Sequence, residues 1–168
     1  MTLSRYLDHR KWVLAKAYRL HILKLFYVGL PAFIYILYPL TLVLLLWQRN
    51  MLFLPVLFVP LAGFLSVTYL RRWCNAPRPY EVYGLPPLVS KNTRGLSFPS
   101  RHCACAAVIA VSLWKVYWAM GLACGIAALV IAACRVLAGV HFPRDVIAGL
   151  ALGGMIGLVG MWCFSLFL

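Results

Sequence analysis

Three stretches of the sequence are most informative about how this chain folds: RRWCNAPRP at Arg71–Pro79, PSRH at Pro99–His102 and RVLAGVHFPRD at Arg135–Asp145. These three polar clusters interrupt an otherwise apolar chain, and they hold two of its four histidines and one of its three acidic residues. Ionisable groups at the ends of membrane spans are costly unless they are paired or used. Guanidinium groups gathered beside two imidazoles and one carboxylate predict a site for an anion, and phosphate is the best match.

The composition outside these clusters is that of a membrane protein. The chain has 168 residues, of which 64% are apolar, whereas soluble domains are about 45–50% apolar. A chain of this length supports one domain, so we predict a single membrane-embedded domain over residues 1–168. A secretory signal is not expected, because the first apolar run begins late and is long enough to remain as a span.

The net charge of +13 raises the question of a nucleic-acid partner. The basic residues are spread along the chain near predicted membrane boundaries, so we predict contact with lipid phosphates and no nucleic-acid binding. The six cysteines fall mostly within apolar segments and include no C-x-x-C pair. This favours small buried hydrophobic residues over the alternative of structural zinc or a disulfide framework.

Apolar segments predict an all-α, integral-membrane bundle of about five transmembrane helices over residues 26–168. A bilayer core needs about 20 apolar residues, and the predicted spans are 26–47, 51–70, 100–120, 122–140 and 144–168. Residues 1–24 are basic with apolar residues at helical spacing, which predicts an N-terminal amphipathic helix at the interface. A solvated basic tail is the alternative. The proline-rich stretch 71–100 predicts an irregular loop.

Counting these spans places all three polar clusters on one membrane face, because each cluster lies at the same end of the span beside it. The last span also carries glycines at short intervals, namely Gly149, Gly153, Gly154, Gly157 and Gly160. Small residues let helices approach closely in lipid, so these glycines predict tight packing.

The first two clusters offer cationic and backbone groups for an anion. Arg71 and Arg78 are about two helical turns apart, and guanidinium forks suit phosphate oxygens; the alternative is anchoring to lipid headgroups. Ser100 and Arg101 open a predicted helix whose free N–H groups form an anion cradle, although Ser100 could be a simple cap. His102, one turn further, would be structural alone but is a candidate general acid beside such a cradle.

The third cluster pairs His141 with Asp145 across a turn. Gly139 and Pro143 bracket that turn, and Pro143 suits the first turn of a helix. A carboxylate near one imidazole nitrogen fixes the tautomer and leaves the other nitrogen free as a nucleophile. The alternative is an Asp145 that only caps its helix and a His141 that faces lipid headgroups. Convergence with the other clusters favours the catalytic interpretation.

The three clusters resemble the signatures of the type 2 phosphatidic acid phosphatase family, the integral-membrane branch related to vanadium haloperoxidases and glucose-6-phosphatase. Those signatures are K-x6-R-P, P-S-G-H and S-R-x5-H-x3-D, and their order and spacings match this chain. Three residues depart from them: Arg71 replaces the lysine, Arg101 the glycine and Cys134 the serine. Arg101 adds a large cation at the phosphate site, which would alter headgroup choice.

The resemblance implies a two-step hydrolysis that needs no metal and no cofactor. His141 would attack phosphorus to form a phosphohistidine, Asp145 would orient the imidazole, and His102 would protonate the departing lipid oxygen. The groups implied to hold the phosphate oxygens are Arg71, Arg78, Ser100, Arg101 and Arg135.

The expected partners are a lipid phosphate substrate and the bilayer, while the sequence does not fix the oligomeric state. Undecaprenyl diphosphate is slightly favoured because it is prevalent among small bacterial family members; phosphatidylglycerophosphate and phosphatidic acid are alternatives. A non-catalytic protein that binds anionic lipid is an alternative of another class, but it would not need both histidines and Asp145. A phosphatase of soluble substrates or a haloperoxidase is a weaker alternative.

The two indicators of membrane orientation disagree. With five spans the basic N-terminus lies on the face of the clusters, and only Arg49 and Lys115 lie opposite, so the positive-inside rule points the site towards the cytoplasm. The family resemblance favours an outward-facing site in the cell membrane, and this is the orientation that we expect.

Overall fold

The computed structural model describes residues 1–166, which contain seven helices and no strand. In chain order the helices are α1 (Leu3–Leu14), α2 (Ala17–Trp47), α3 (Phe53–Cys74), α4 (Pro79–Tyr83), α5 (Arg101–Val116), α6 (Trp118–Leu137) and α7 (Pro143–Ser165). The predicted all-α bundle is therefore confirmed.

Within residues 1–166, four stretches are long and apolar enough to cross a membrane: Ala17–Trp47, Phe53–Tyr83, Trp118–Leu137 and Pro143–Ser165. The predicted third span, 100–120, is shorter than expected. It forms α5, which has 16 residues and a length of about 24 Å at 1.5 Å per residue. The helix ends early because Tyr117 has an extended backbone, with φ −152° and ψ 114°.

The structure corrects two predictions about segment boundaries, one for residues 1–24 and one for the loop 71–100. The helix predicted over 1–24 is broken at Lys16, whose extended backbone separates α1 from α2. The stretch 71–100 is not wholly irregular, because α3 continues to Cys74 and Pro79 starts the short α4. Asn75 ends α3 in the left-handed region, with φ 36° and ψ 40°, and Pro79 occupies the first helical turn, where its missing N–H costs nothing.

Helix α5 forms the centre of the bundle and packs against α3, α6 and α7. Cys103, Val108 and Leu113 on this helix are completely buried in the main apolar cluster. Cys103, Cys105, Cys124 and Cys134 are buried and unpaired, Cys74 is half-buried and Cys163 is exposed. Four of the six cysteines thus fill the core as predicted, and no metal-ligand cluster occurs among residues 1–166.

Glycines allow α7 to lie directly against the backbone of α5. A methyl group at Gly149 would lie 2.5 Å from the carbonyl oxygen of Ser100, and one at Gly153 would lie 2.1 Å from that of Ala104. Gly157 also faces α5, where a methyl group would meet a valine side chain at 2.8 Å. This close approach holds the beginning of α5 beside the beginning of α7.

The N-terminal helix α1 covers the turn between α6 and α7. Tyr6 and Val13 are buried, and Tyr6 lies over Gly139, where a Cβ would be 2.7 Å from the tyrosine hydroxyl. Gly139 has a φ of +74°, so only glycine meets both requirements without strain. Leu3 and Leu14 on the same helix are exposed.

We predict that Gly153→Ala destabilises the bundle, because the new methyl group overlaps backbone that cannot move away without separating α5 from α7. The expected cost is about 1–3 kcal/mol, typical of overpacking, measured as a lower unfolding midpoint in detergent. Gly154→Ala is the matched control, because a methyl group there has no neighbour within 4 Å. Equal midpoints for the two variants would contradict the packing described.

Candidate active site

The three polar clusters meet around one cavity of about 180 Å³. Six basic side chains line it together with two histidines, two threonines and one leucine: Arg71, Arg72, Arg78, Lys91, Arg101, Arg135, His102, His141, Thr68, Thr93 and Leu96. The lining contains no carboxylate. The excess of positive charge makes this cavity an attractive site for an anion with several negative charges.

The two arginines of the first cluster are fixed by backbone carbonyl groups. Arg71, near the end of α3, is buried, and its Nη1 donates to the Pro99 carbonyl at 3.0 Å. Arg78 donates through Nε to Gly95 at 2.9 Å and through Nη1 to Val140 at 3.2 Å. Arg78 therefore joins the loop to the third cluster as well as lining the cavity.

Glu81 on α4 connects the two sides of the loop between α3 and α5. Its carboxylate accepts the backbone N–H of Arg78 at 2.9 Å and that of Gly95 at 3.0 and 2.9 Å. This role of Glu81 is not apparent from the sequence, because the proline-rich stretch predicts an irregular loop. Glu81 thus holds the segment that carries the main hydrogen-bond acceptors of Arg78.

The second cluster starts α5. Ser100 is completely buried and occupies the N-cap position, but its hydroxyl makes no capping hydrogen bond. Its backbone N–H donates to the Asp145 carbonyl at 2.8 Å. The interpretation of Ser100 as a simple cap is therefore wrong, and the residue lies just behind the lining of the cavity. Arg101 and His102 line the cavity, and the Arg101 guanidinium lies 5.5 Å from the ring centre of Phe64.

Arg135 reaches the cavity near the end of α6 and stacks on an aromatic ring of α2. Its guanidinium carbon lies 3.9 Å from the ring centre of Tyr27, a cation–π geometry. Arg135 is buried, and its Nε makes no hydrogen bond. Arg135 lines the cavity from this position.

His141 lines the cavity, and Asp145 lies next to it behind the lining. His141 is 3% exposed and lines the cavity, so it does not face the lipid surface. Its Nδ1 is 3.6 Å from Asp145 Oδ2 and 3.3 Å from the hydroxyl of Ser97. Asp145 Oδ2 also accepts the Phe142 N–H at 2.9 Å. Asp145 therefore caps α7 and faces His141 at the same time, so the interpretation that it only caps its helix is wrong.

Burial lowers the pKa of His141, the positive charge of Arg78 adds to this effect, and the nearby Asp145 carboxylate opposes it, which leaves the pKa at about 4. The imidazole is therefore neutral at neutral pH, as a nucleophile must be. Burial also lowers the pKa of Lys91, and Arg78 and Arg135 add to this effect.

Several residues at the site were not identified from the sequence. Ser97, Lys91 and Tyr27 come from segments without a recognisable motif, and only folding brings them to the three clusters. Ser97 lies two positions before Pro99, which was the one available signal. Ser100 and Asp145 support the cavity from behind, while the other predicted site residues line it.

Comparisons with known proteins agree with this architecture. The profile of the PAP2 superfamily matches residues 51–167. An undecaprenyl-diphosphatase of Sulfolobus acidocaldarius is 28% identical over 132 residues, which are 76% of this chain and 63% of that protein. The chain thus spans less than two thirds of that relative.

Two crystal structures share the fold. LpxE of Aquifex aeolicus superposes with a TM-score of 0.75 at 26% identity, over 95% of this chain and 94% of that chain. A transmembrane PAP2-type phosphatidylglycerolphosphate phosphatase of Bacillus subtilis superposes with a TM-score of 0.71 at 24% identity, over 96% and 85% of the two chains. The similarity to both extends over nearly the whole of this chain.

We predict that His141 stays neutral in the ligand-free protein until the pH falls well below its ordinary pKa of 6.5, and that it titrates near 4. His141 takes up this proton at a higher pH in the unfolded chain than in the folded protein. The free energy of unfolding is therefore unaffected by His141 above pH 6.5 and decreases as the pH falls from 6.5 towards 4. A ¹⁵N NMR titration of labelled histidine measures the midpoint. A midpoint at or above 6.5 would contradict the electrostatics described.

Proposed function

The chain belongs to the PAP2 superfamily, and from this premise we propose that it is a metal-independent lipid phosphatase. It is a multi-pass membrane protein, with apolar helical stretches long enough to cross a bilayer. The observation that carries the proposal is one cavity in which two histidines and six cations face each other without a carboxylate. Such a cavity suits a reacting phosphoryl group, whose transition-state charge is spread over its oxygens.

The first step transfers the phosphoryl group to His141. The Nε2 lone pair forms the bond to phosphorus as the bond from phosphorus to the lipid oxygen breaks. His102 gives its proton to that departing oxygen. Asp145 keeps the imidazole of His141 oriented and stabilises the positive charge that develops on the ring.

The second step regenerates the enzyme. Water attacks the phosphorus, the bond from nitrogen to phosphorus breaks, and His102 takes the proton that the water loses. Arg71, Arg78 and Arg135 hold the phosphate oxygens during both steps. Because these guanidinium groups supply the positive charge, the reaction needs neither a metal nor a cofactor.

Ser100 and Arg101 complete the proposed phosphate site. Ser100 lies behind the cavity lining with its N–H bonded to the Asp145 carbonyl, so it would support the phosphate site by holding the start of α5 in place. Arg101 would bring a further cation to the cavity that it lines. We propose that residues 1–168 act as one domain, with the site facing outward in the cell membrane.

The proposed substrate is a prenyl diphosphate of the undecaprenyl type. Arg72, Lys91 and Arg101 line the cavity in addition to the signature arginines, and a diphosphate carries more charge for them to neutralise than a monoester does. A similar archaeal protein is named an undecaprenyl-diphosphatase. Phosphatidylglycerophosphate and phosphatidic acid are the alternatives, and a Bacillus subtilis protein of this fold is a phosphatidylglycerolphosphate phosphatase.

We predict that His141→Ala lowers phosphate release from lipid phosphates by at least about 10³-fold, as loss of a nucleophile does in other covalent mechanisms. The assay uses purified protein in detergent, with and without a chelator, and the chelator should have no effect. His21→Ala is the matched control, because His21 is exposed on α2 outside the cavity. Undiminished release by His141→Ala would overturn the assignment of His141 as the nucleophile, whereas no release by the unmodified protein would favour a non-catalytic lipid-binding protein.

We predict that Arg101→Gly, which restores the family signature, weakens the binding of diphosphate substrates more than that of monophosphate substrates. The KM for a prenyl diphosphate should rise about tenfold, equivalent to about 1.4 kcal/mol of lost binding, while that of the monophosphate changes less than about threefold. Arg94→Gly is the control, since Arg94 lies in the loop before α5 and does not line the cavity. An equal change for both substrates would show that Arg101 does not select the diphosphate.

A further inference from the structure

We propose that Ser97 is a positioning residue that links Nδ1 of His141 to the Asp145 carboxylate and fixes the tautomer of the imidazole. Its significance for catalysis rests on the proposed function, because His141 is the proposed nucleophile. Ser97 lies outside the three polar clusters defined from the sequence. Its contacts with both side chains make it the third member of a buried His–Ser–Asp array.

The distances place the Ser97 hydroxyl between the other two groups. Ser97 Oγ is 2.5 Å from Asp145 Oδ2 and 3.3 Å from His141 Nδ1. The direct separation of Nδ1 and Oδ2 is 3.6 Å, which is too long for a hydrogen bond, whereas 3.3 Å is a long hydrogen bond, just beyond the usual range of about 2.7–3.2 Å. The serine hydroxyl is therefore the nearer partner of both groups.

The donor and acceptor roles follow from the proton inventory. Asp145 Oδ2 already accepts the Phe142 N–H at 2.9 Å, so it acts as an acceptor and takes the single hydroxyl proton of Ser97. The short distance is typical of a hydroxyl that donates to a carboxylate. Ser97 consequently turns a lone pair towards Nδ1, and this matches an imidazole whose proton is on Nδ1. The lone pair of His141 is then on Nε2.

The main chain fixes the position of Ser97 independently of its hydroxyl. The residue is completely buried, and its backbone N–H donates to the Ala76 carbonyl at 2.9 Å. The preceding carbonyl, that of Leu96, accepts Nη2 of Arg78 at 3.4 Å. Removing the hydroxyl would therefore leave the loop in place while removing the link from His141 to Asp145.

The first test measures the tautomer directly and does not depend on any substrate. The full chain is labelled with ¹⁵N-histidine in detergent micelles, and the His141 signals are assigned by their loss in His141→Ala. In the unmodified protein near neutral pH we expect the proton on Nδ1. In Ser97→Ala we expect a mixture of the two tautomers. A proton on Nε2 of His141 in the unmodified protein would overturn the proposal without any variant.

The second test is kinetic. Ser97→Ala should lower kcat about 10–100-fold, the usual effect of removing a group that orients a functional histidine, with less than about threefold change in KM. Ser97→Thr keeps the hydroxyl and should restore most of the activity. The matched control is Ser112→Ala, another completely buried serine, whose hydroxyl donates to the Val108 carbonyl at 2.9 Å within α5.

The outcomes separate the two proposals. Wild-type kcat in Ser97→Ala, together with loss of activity in His141→Ala, would refute the role of Ser97 and leave the proposed function standing. If the unmodified protein releases phosphate from no lipid, the proposed function fails, and the NMR result still decides the tautomer. If Ser97→Ala does not fold, the role of Ser97 is tested by the His141 tautomer in the unmodified protein and by the activity of Ser97→Thr. A proton on Nε2 or an inactive, folded Ser97→Thr would refute that role.

Discussion

The buried side chain of Asp145 is the point on which the site depends. The Asp145 carboxylate accepts hydrogen bonds from the Ser97 hydroxyl and from the N–H of Phe142. The backbone carbonyl of Asp145 accepts the N–H of Ser100. One residue thus connects the loop, the start of α5 and the start of α7. A carboxylate that is withdrawn from water is costly unless it is hydrogen-bonded, so these three segments must assemble together for the fold to be stable.

The contact between α5 and α7 makes this assembly possible. With Gly149 and Gly153 the backbones of the two helices lie in direct contact, and the first turns of both helices come within hydrogen-bonding distance. Larger residues would separate Ser100 from Asp145, even if every polar residue of the site were kept. Apolar packing inside the bundle therefore sets the geometry of a polar site at its end.

The sequence predicted the helical class and the residue types of the site because both depend on local patterns. Long apolar runs indicate spans, and the clusters at their ends fix which residues can meet. The sequence did not predict that α5 stops at Val116, because the extended backbone of Tyr117 is a tertiary outcome. It also missed Ser97 and Tyr27, since their roles arise from contacts between segments that are distant in the chain. The continuation of α2 back to Ala17 was missed for another reason: its basic residues are tolerated where the helix surface is exposed.

The packing of α1 has a consequence for the mechanics of the molecule. Tyr6 rests on Gly139, which is two residues from His141 in the sequence. Tyr6 also contacts Tyr83, with 5.1 Å between the ring centres, and Tyr83 in turn contacts Phe142 at 6.1 Å. Gly139 and Phe142, which lie on either side of His141 in the sequence, are thus both packed against rings that α1 helps to hold, so displacing α1 would remove packing from both sides of the turn that bears His141.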